Sequence, residues 1–212
     1  MRNLRVLGLL CLLALSTACV GSTTYHTATP IEEGTIEIGV MPGLYGVVAD
    51  GTSATLPNLE FGIRTGLTEN MDLGVKINGL TLTTDLNIAV INEPTFAFSV
   101  DPALTVFYFG AGEASFLWTF ATLGLLADVV KTPGFTLTAG LKPGFVYISV
   151  SGEDEDNEEI SAAGNGFTVG ATIGAKFKLS KNFALMPSFD VLTPVENFGE
   201  GLIFNAGIGL LF

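Results

Sequence analysis

From Gly34 to the C-terminal Phe212 the chain alternates apolar residues with small or polar ones, with a period of two. Two is the period of a β-strand, whose successive side chains point to opposite faces. Between Phe167 and Leu179 the odd positions are Phe167, Val169, Ala171, Ile173, Ala175, Phe177 and Leu179. The even positions are Thr168, Gly170, Thr172, Gly174, Lys176 and Lys178. Leu59, Phe61 and Ile63 alternate in the same way with Glu60, Gly62, Arg64 and Gly66, and Leu73, Val75 and Ile77 with Asp72, Gly74, Lys76 and Asn78. Division at the breakers predicts ten strands, at about 35–48, 57–67, 71–79, 81–91, 95–109, 114–130, 134–150, 166–180, 183–194 and 202–212. Short Asn, Pro and Gly turns, such as Thr68-Glu69-Asn70 and Ser180-Lys181-Asn182, alternate with mostly longer links at 49–56, 110–113, 151–165 and 195–201. The link near Gly79 is short for its place in that alternation. The pattern slips around Trp118 to Thr122, where a bulge or a different strand count, eight or twelve, is also open.

Alternation alone fits a half-buried soluble sheet. The non-apolar face decides otherwise. It is rich in Gly and Thr and carries charges of both signs: Glu37, Glu60, Arg64, Asp72, Lys76, Asp85, Lys142, Lys176, Lys178 and Asp190. A transmembrane barrel has an apolar exterior and a polar lumen, with strands that alternate for about 10 residues. The expected fold is all-β, an antiparallel transmembrane up-and-down β-barrel of about ten strands, with these charges facing the lumen. Tyr45, Tyr108, Trp118, Phe135, Tyr147, Phe183 and Phe212 lie near proposed strand ends or outer faces, as membrane-interface aromatics would.

Composition agrees. Hydrophobic residues make up 48% of the 212 and charged residues only 14%, with a mean hydropathy of +0.53. Disorder needs the opposite balance. Helical membrane spans are excluded, because the one long apolar run, Val6 to Leu15, is shorter than the roughly 20 residues a span needs. That run follows Arg2 and Arg5 and reads as the core of a secretory signal over residues 1–18. Cleavage near Ala18 takes away two of nine basic residues and none of 21 acidic ones, moving the formal charge from −12 to −14. A chain this acidic does not attract nucleic acid. Of the two cysteines, Cys11 leaves with the signal, so the body has no thiol for a disulfide, a metal or a nucleophile.

Two stretches carry a family resemblance. Leu15-Ser16-Thr17-Ala18-Cys19 resembles a bacterial lipobox, with Leu one position early. This implies lipidation of Cys19 and a flexible tether over 19–33 ahead of the barrel at 34–212; an ordinary signal cleaved near Ala18 is the other reading. In the last strand Phe204, Ala206, Ile208, Leu210 and Phe212 alternate to a C-terminal aromatic. This resembles the assembly signal of bacterial outer-membrane β-barrel proteins. The resemblance implies an outer-membrane location, surrounding outer-membrane lipid, and the barrel-assembly machinery as a partner. It identifies a superfamily and no single member.

Catalytic chemistry is thin. Small outer-membrane barrels that are enzymes pair a His with Ser or Asp. The only histidine here, His26, falls in the expected tether and is expected to be a solvated linker residue. The chain therefore reads as non-enzymatic, with no cofactor or metal site expected. Glu153-Asp154-Glu155-Asp156-Asn157-Glu158-Glu159 lacks the glycine of a calcium loop, since Glu159 stands there, and reads as a solvated outer loop. The expected role is structural or anchoring, or that of a narrow passive, porin-like channel. The alternative is a periplasmic lipocalin-like lipoprotein that binds an apolar ligand inside a soluble barrel.

Overall fold

The computed structural model describes residues 23–49, 52–79, 81–111, 114–153, 159–196 and 201–212. Its strands are β1 (Ile36–Ala49), β2 (Thr52–Thr68), β3 (Met71–Asn78), β4 (Thr81–Asn92), β5 (Ala97–Ala111), β6 (Ala114–Thr132), β7 (Phe135–Leu141), β8 (Gly144–Glu153), β9 (Glu159–Ser180), β10 (Phe183–Pro194) and β11 (Gly201–Leu211). Among the described strands every ladder is antiparallel, and each strand pairs with its sequence neighbours, except that β7 and β8 do not pair with each other. The sheet closes where β1 meets β11, with Gly39 opposite Leu211 and Ala49 opposite Gly201.

β7 and β8 occupy one strand position. Both pair with β6 on one side and β9 on the other, with Leu141 opposite Leu125 and Gly144 opposite Thr122. Pro143 has no N–H and interrupts the ladder. Its neighbours keep it running: Leu123 N–H donates to the Pro143 carbonyl at 2.9 Å, and Lys142 N–H to the Gly170 carbonyl at 2.8 Å. The cylinder is thus ten strands around, matching the expected number. Short turns after β2, β4, β6 and β9 lie at one end, here the turn end, with both the start of β1 and the end of β11.

The exterior is apolar. Ile38, Phe61, Ile63, Ile77, Leu104, Phe167 and Ile173 are among many large apolar side chains exposed on it. A water-soluble monomer does not carry a belt of this extent, and closed barrels are the sheet form that leaves no backbone group unsatisfied in lipid. This excludes the soluble lipocalin-like alternative. Several strands run longer than the 9–11 residues a bilayer needs; β9 has 22. The links expected over 49–56, 110–113 and 151–165 are largely hairpin extensions, with Ala49 opposite Thr52, Ala111 opposite Ala114 and Glu153 opposite Glu159. Ladder pairing satisfies the backbone beyond the lipid as well as within it. Residues 154–158, the centre of the acidic run, lie outside the described residues.

β6 corrects the expected slip. Its register against β5 is regular, with Phe107 opposite Trp118 and Thr105 opposite Phe120. The irregularity falls later, between Asp128 and Val130 in the pairing with β7. The slip arose because Trp118 and Phe120 are lumen-facing aromatics, which inverts the polarity expected of that face. Trp118 and Tyr45 are buried, so neither belongs to an outer girdle, whereas Tyr108 is exposed on the outside. The terminal strand is as expected, with Ile208 and Phe212 outward and Phe212 packed on Phe183.

Candidate functional site

The lumen holds the chain's own N-terminal segment. Gly34, with φ of 73°, turns the chain at the turn end. Gly34 N–H donates to the Gly66 carbonyl at 3.0 Å, and Gly66 N–H to the Thr35 carbonyl at 3.1 Å. Glu32 passes so close that a Cβ on Gly66 would lie 2.2 Å from its carbonyl oxygen. From there the segment runs back into the barrel, and Thr23, Thr24, Tyr25, His26, Thr27 and Ala28 are all buried. The expected solvated tether is therefore wrong over 23–31, whereas Glu32 and Glu33 are exposed. An isolated polar segment is usually disordered, but here the wall supplies the hydrogen bonds that a sheet neighbour would otherwise give.

Three wall aspartates accept main-chain N–H groups in ascending order. Asp72, beside the turn at Met71, takes Ile31 N–H at 2.8 Å. Asp128 takes Ala28 and Thr29 N–H, both at 2.9 Å, with the Thr29 hydroxyl at 2.6 Å and the wall's Thr138 hydroxyl at 2.7 Å. Asp190, midway along β10, takes Thr24 N–H and its hydroxyl at 3.1 Å each. Donors from the wall serve the carbonyls: Asn87 Nδ2 reaches Thr27 O at 3.2 Å and Lys76 Nζ reaches Thr23 O at 2.7 Å. Glu60 receives the Thr23 hydroxyl at 3.1 Å. Hydrogen bonds to charged groups contribute about 1.5–3 kcal/mol each, and together they offset the cost of ordering the segment, about 1–2 kcal/mol per residue for its backbone.

His26 sits at the centre. Its Nδ1 faces Arg64 Nη2 at 3.0 Å and its Nε2 faces Asp101 Oδ2 at 3.4 Å. Arg64 also pairs with Asp72 and Asp85. Lys142 binds Asp190 at 3.0 Å. Glu60, Arg64, Asp72, Lys76, Asp85, Lys142 and Asp190 are all buried, gathered around the segment. Lys176 and Glu37 form a separate, half-buried pair at 2.6 Å. Lys178 departs from expectation: it is exposed beside the β9–β10 turn. It follows the inward alternation of its strand, but the strand ends before the lumen encloses it.

Above the segment, towards the loop end, the lumen turns apolar. Phe107, Trp118, Phe120 and Leu192 form one buried cluster, with Phe116, Val146, Ile148 and Ile203 against it. Trp118 and Phe120 stack at 5.6 Å. Leu192 comes from β10, and the aromatics from β5 and β6, so the cluster crosses the bore. Below it the void beside Tyr25, His26 and Lys76 has a volume of about 20 Å³, room for a water. Among the described residues the lumen thus holds two fillings, a polar plug and an apolar cluster.

Sequence reasoning missed His26, Asn87, Asp101 and Asp128 as lumen residues. Asp101 and Asp128 do follow the inward alternation of β5 and β6, alongside Ser99, Thr105 and Leu126. Cys19 lies outside the described residues.

No protein-family model and no curated protein matches the chain. Among solved structures it is similar to Ail, the attachment invasion locus protein of Yersinia pestis, at 13% identity over 85% of this chain and 99% of that one, TM-score 0.40. It is similar to the outer membrane protease OmpT from Escherichia coli at 11% identity over 84% and 94%, TM-score 0.46. The translocator domain of the autotransporter NalP from Neisseria meningitidis shares 14% identity over 86% and 90%, TM-score 0.45. With TM-scores below 0.5, these likenesses carry no argument.

Proposed function

We propose that this is a self-plugged bacterial outer-membrane β-barrel whose resting role is structural, anchoring a rigid cylinder in the membrane and presenting its loop-end hairpins. The observation that carries this reading is the double filling of the lumen, by residues 23–31 and by the Phe107–Trp118–Phe120–Leu192 cluster. A porin-like path needs a continuous aqueous bore, and dewetted apolar constrictions close such bores. His26 does pair with an aspartate, Asp101, but both are buried inside the plugged lumen, where a substrate would have to displace the plug to reach them, which supports a non-enzymatic role. Lipidation of Cys19 and delivery through the barrel-assembly machinery belong to the same proposal.

Single-channel recording on the full-length mature protein, refolded in detergent and inserted into planar bilayers, tests it. The expected trace is silent. Frequent, stable openings of the wild type would replace the structural role with a channel.

A further inference from the structure

The structure assigns a further site, which rests on the plugged-lumen reading: we propose that His26 of the plug, with Asp85 and Asp101 of the wall, binds a divalent transition metal of the zinc class. The three residues come from three separate elements: the plug, β4 and β5. Each is more than nine-tenths buried. One ligand atom from each can be chosen so that all three lie within 4.8 Å of one another. Nε2 of His26, Oδ1 of Asp85 and Oδ1 of Asp101 are buried without a hydrogen-bond partner. Two of them have an ion-pair neighbour, Asp101 Oδ2 at 3.4 Å from His26 Nε2 and Lys76 Nζ at 3.8 Å from Asp85 Oδ1, but none makes a hydrogen bond, and an ion is one of the things that satisfies such buried atoms.

The geometry and chemistry fit that class. The 3.4 Å between His26 Nε2 and Asp101 Oδ2 is about the edge of a tetrahedron whose bonds are ~2.1 Å long, as in zinc sites. Imidazole and carboxylate are both ligand types that zinc takes, and three such ligands leave a fourth position for water. The nearby charges are three carboxylates, of Asp72, Asp85 and Asp101, against the Arg64 guanidinium and the Lys76 ammonium, whose Nζ is 3.8 Å from Asp85 Oδ1. A dication therefore enters a region where acid exceeds base. Arg64 sets the cost. A metal on Nε2 requires the ring proton on Nδ1, so the Arg64–His26 hydrogen bond is given up on loading. Arg64 keeps both of its carboxylate partners and holds Asp85 in place, as outer residues of metal sites commonly do. The bound metal would join plug to wall directly.

The test uses full-length mature protein refolded in detergent, stripped with chelator, loaded with zinc and desalted. Metal is read by elemental analysis, and the cobalt form by its visible d–d absorption. Expected are one tightly held zinc per chain, a tetrahedral cobalt spectrum and a higher unfolding temperature with zinc. In His26→Gln and in Asp101→Asn the affinity falls by more than the roughly 10–100-fold that a merely supporting residue costs. Heat-modifiability on a gel verifies that each variant is folded. No retained zinc in folded wild type, or equal zinc in the folded His26→Gln variant, overturns the site. The plug itself is read separately, from protection of Thr27→Cys in a Cys19→Ser background. A protected cysteine without zinc sinks the metal site alone, and an unprotected one sinks the plugged lumen.

Discussion

Asp190 holds Thr24 twice, through its main-chain N–H and its hydroxyl, both at 3.1 Å, across 166 positions of sequence. With Lys142 at 3.0 Å on the same carboxylate, this contact ties the leading end of the plug to the middle of the wall. Asp128 ties its centre.

Neutralising these aspartates is expected to loosen the plug while the barrel still forms. In a Cys19→Ser background, Thr27→Cys is expected to resist a polar maleimide. Adding Asp128→Asn should raise the labelling rate at least tenfold, since weakening two or three charged hydrogen bonds costs about 1.5–3 kcal/mol or more. Labelling that stays unchanged would remove Asp128 from the grip.

Gly207 gives a steric test. A Cβ there would lie 2.1 Å from the Tyr25 hydroxyl oxygen and 3.0 Å from the Pro42 carbonyl oxygen. Gly207→Ala is expected to destabilise by about 1–3 kcal/mol, the usual range for overpacking. Adding Tyr25→Phe should recover part of that in a denaturant titration, because it removes the atom in closest conflict. Additive losses would place the tyrosine elsewhere.

The two lysines of β9 should behave differently. Lys178→Ala at the exposed turn end should lie within about 0.5 kcal/mol of wild type. Lys176→Ala breaks the half-buried pair with Glu37 and should cost more, on the order of 1 kcal/mol. Neither change should produce conductance, since neither residue touches the apolar cluster. Conductance from Lys176→Ala would argue for a water-filled path along that side.

The two fillings act in series. Trp118→Ala should lower stability by about 3–5 kcal/mol, as large core truncations do. It should leave the bilayer silent while the plug is seated. Combining it with Asp128→Asn is expected to give the first measurable openings in planar-bilayer recordings. Openings from Trp118→Ala alone would show that the plug does not seal.

The strands were legible because each spans two solvents, and the alternation of Phe167 to Lys178 records both. The bore was legible only where its face is small or charged. Trp118 and Phe120 broke that rule because they pack on each other and on Leu192, not on polar neighbours. The plug left no periodic trace. A Thr-rich segment has no repeat, and its partners Asp72, Asp128 and Asp190 are brought together only by ring closure. One arithmetic signal existed: the inward set holds Glu37, Glu60, Asp72, Asp85, Asp101, Asp128 and Asp190 against Arg64, Lys76, Lys142 and Lys176. Such a surplus of buried acid calls for donors that the wall lacks. The N–H groups of residues 24 to 31 supply them.

The turn at Gly34 and Thr35 joins the plug directly to the first residue of β1. So short a link holds the segment at an effective concentration of millimolar order or above at the surface that receives it. A free peptide with the same contacts would have to be supplied at that level to displace it. The wall reads main-chain groups of residues 23 to 31, and beside them the hydroxyls of Thr23, Thr24 and Thr29 and the His26 ring, so a competing peptide would need matching side chains as well. Attachment adds to that selectivity: the lumen is reserved for the one strand of polypeptide that cannot diffuse away.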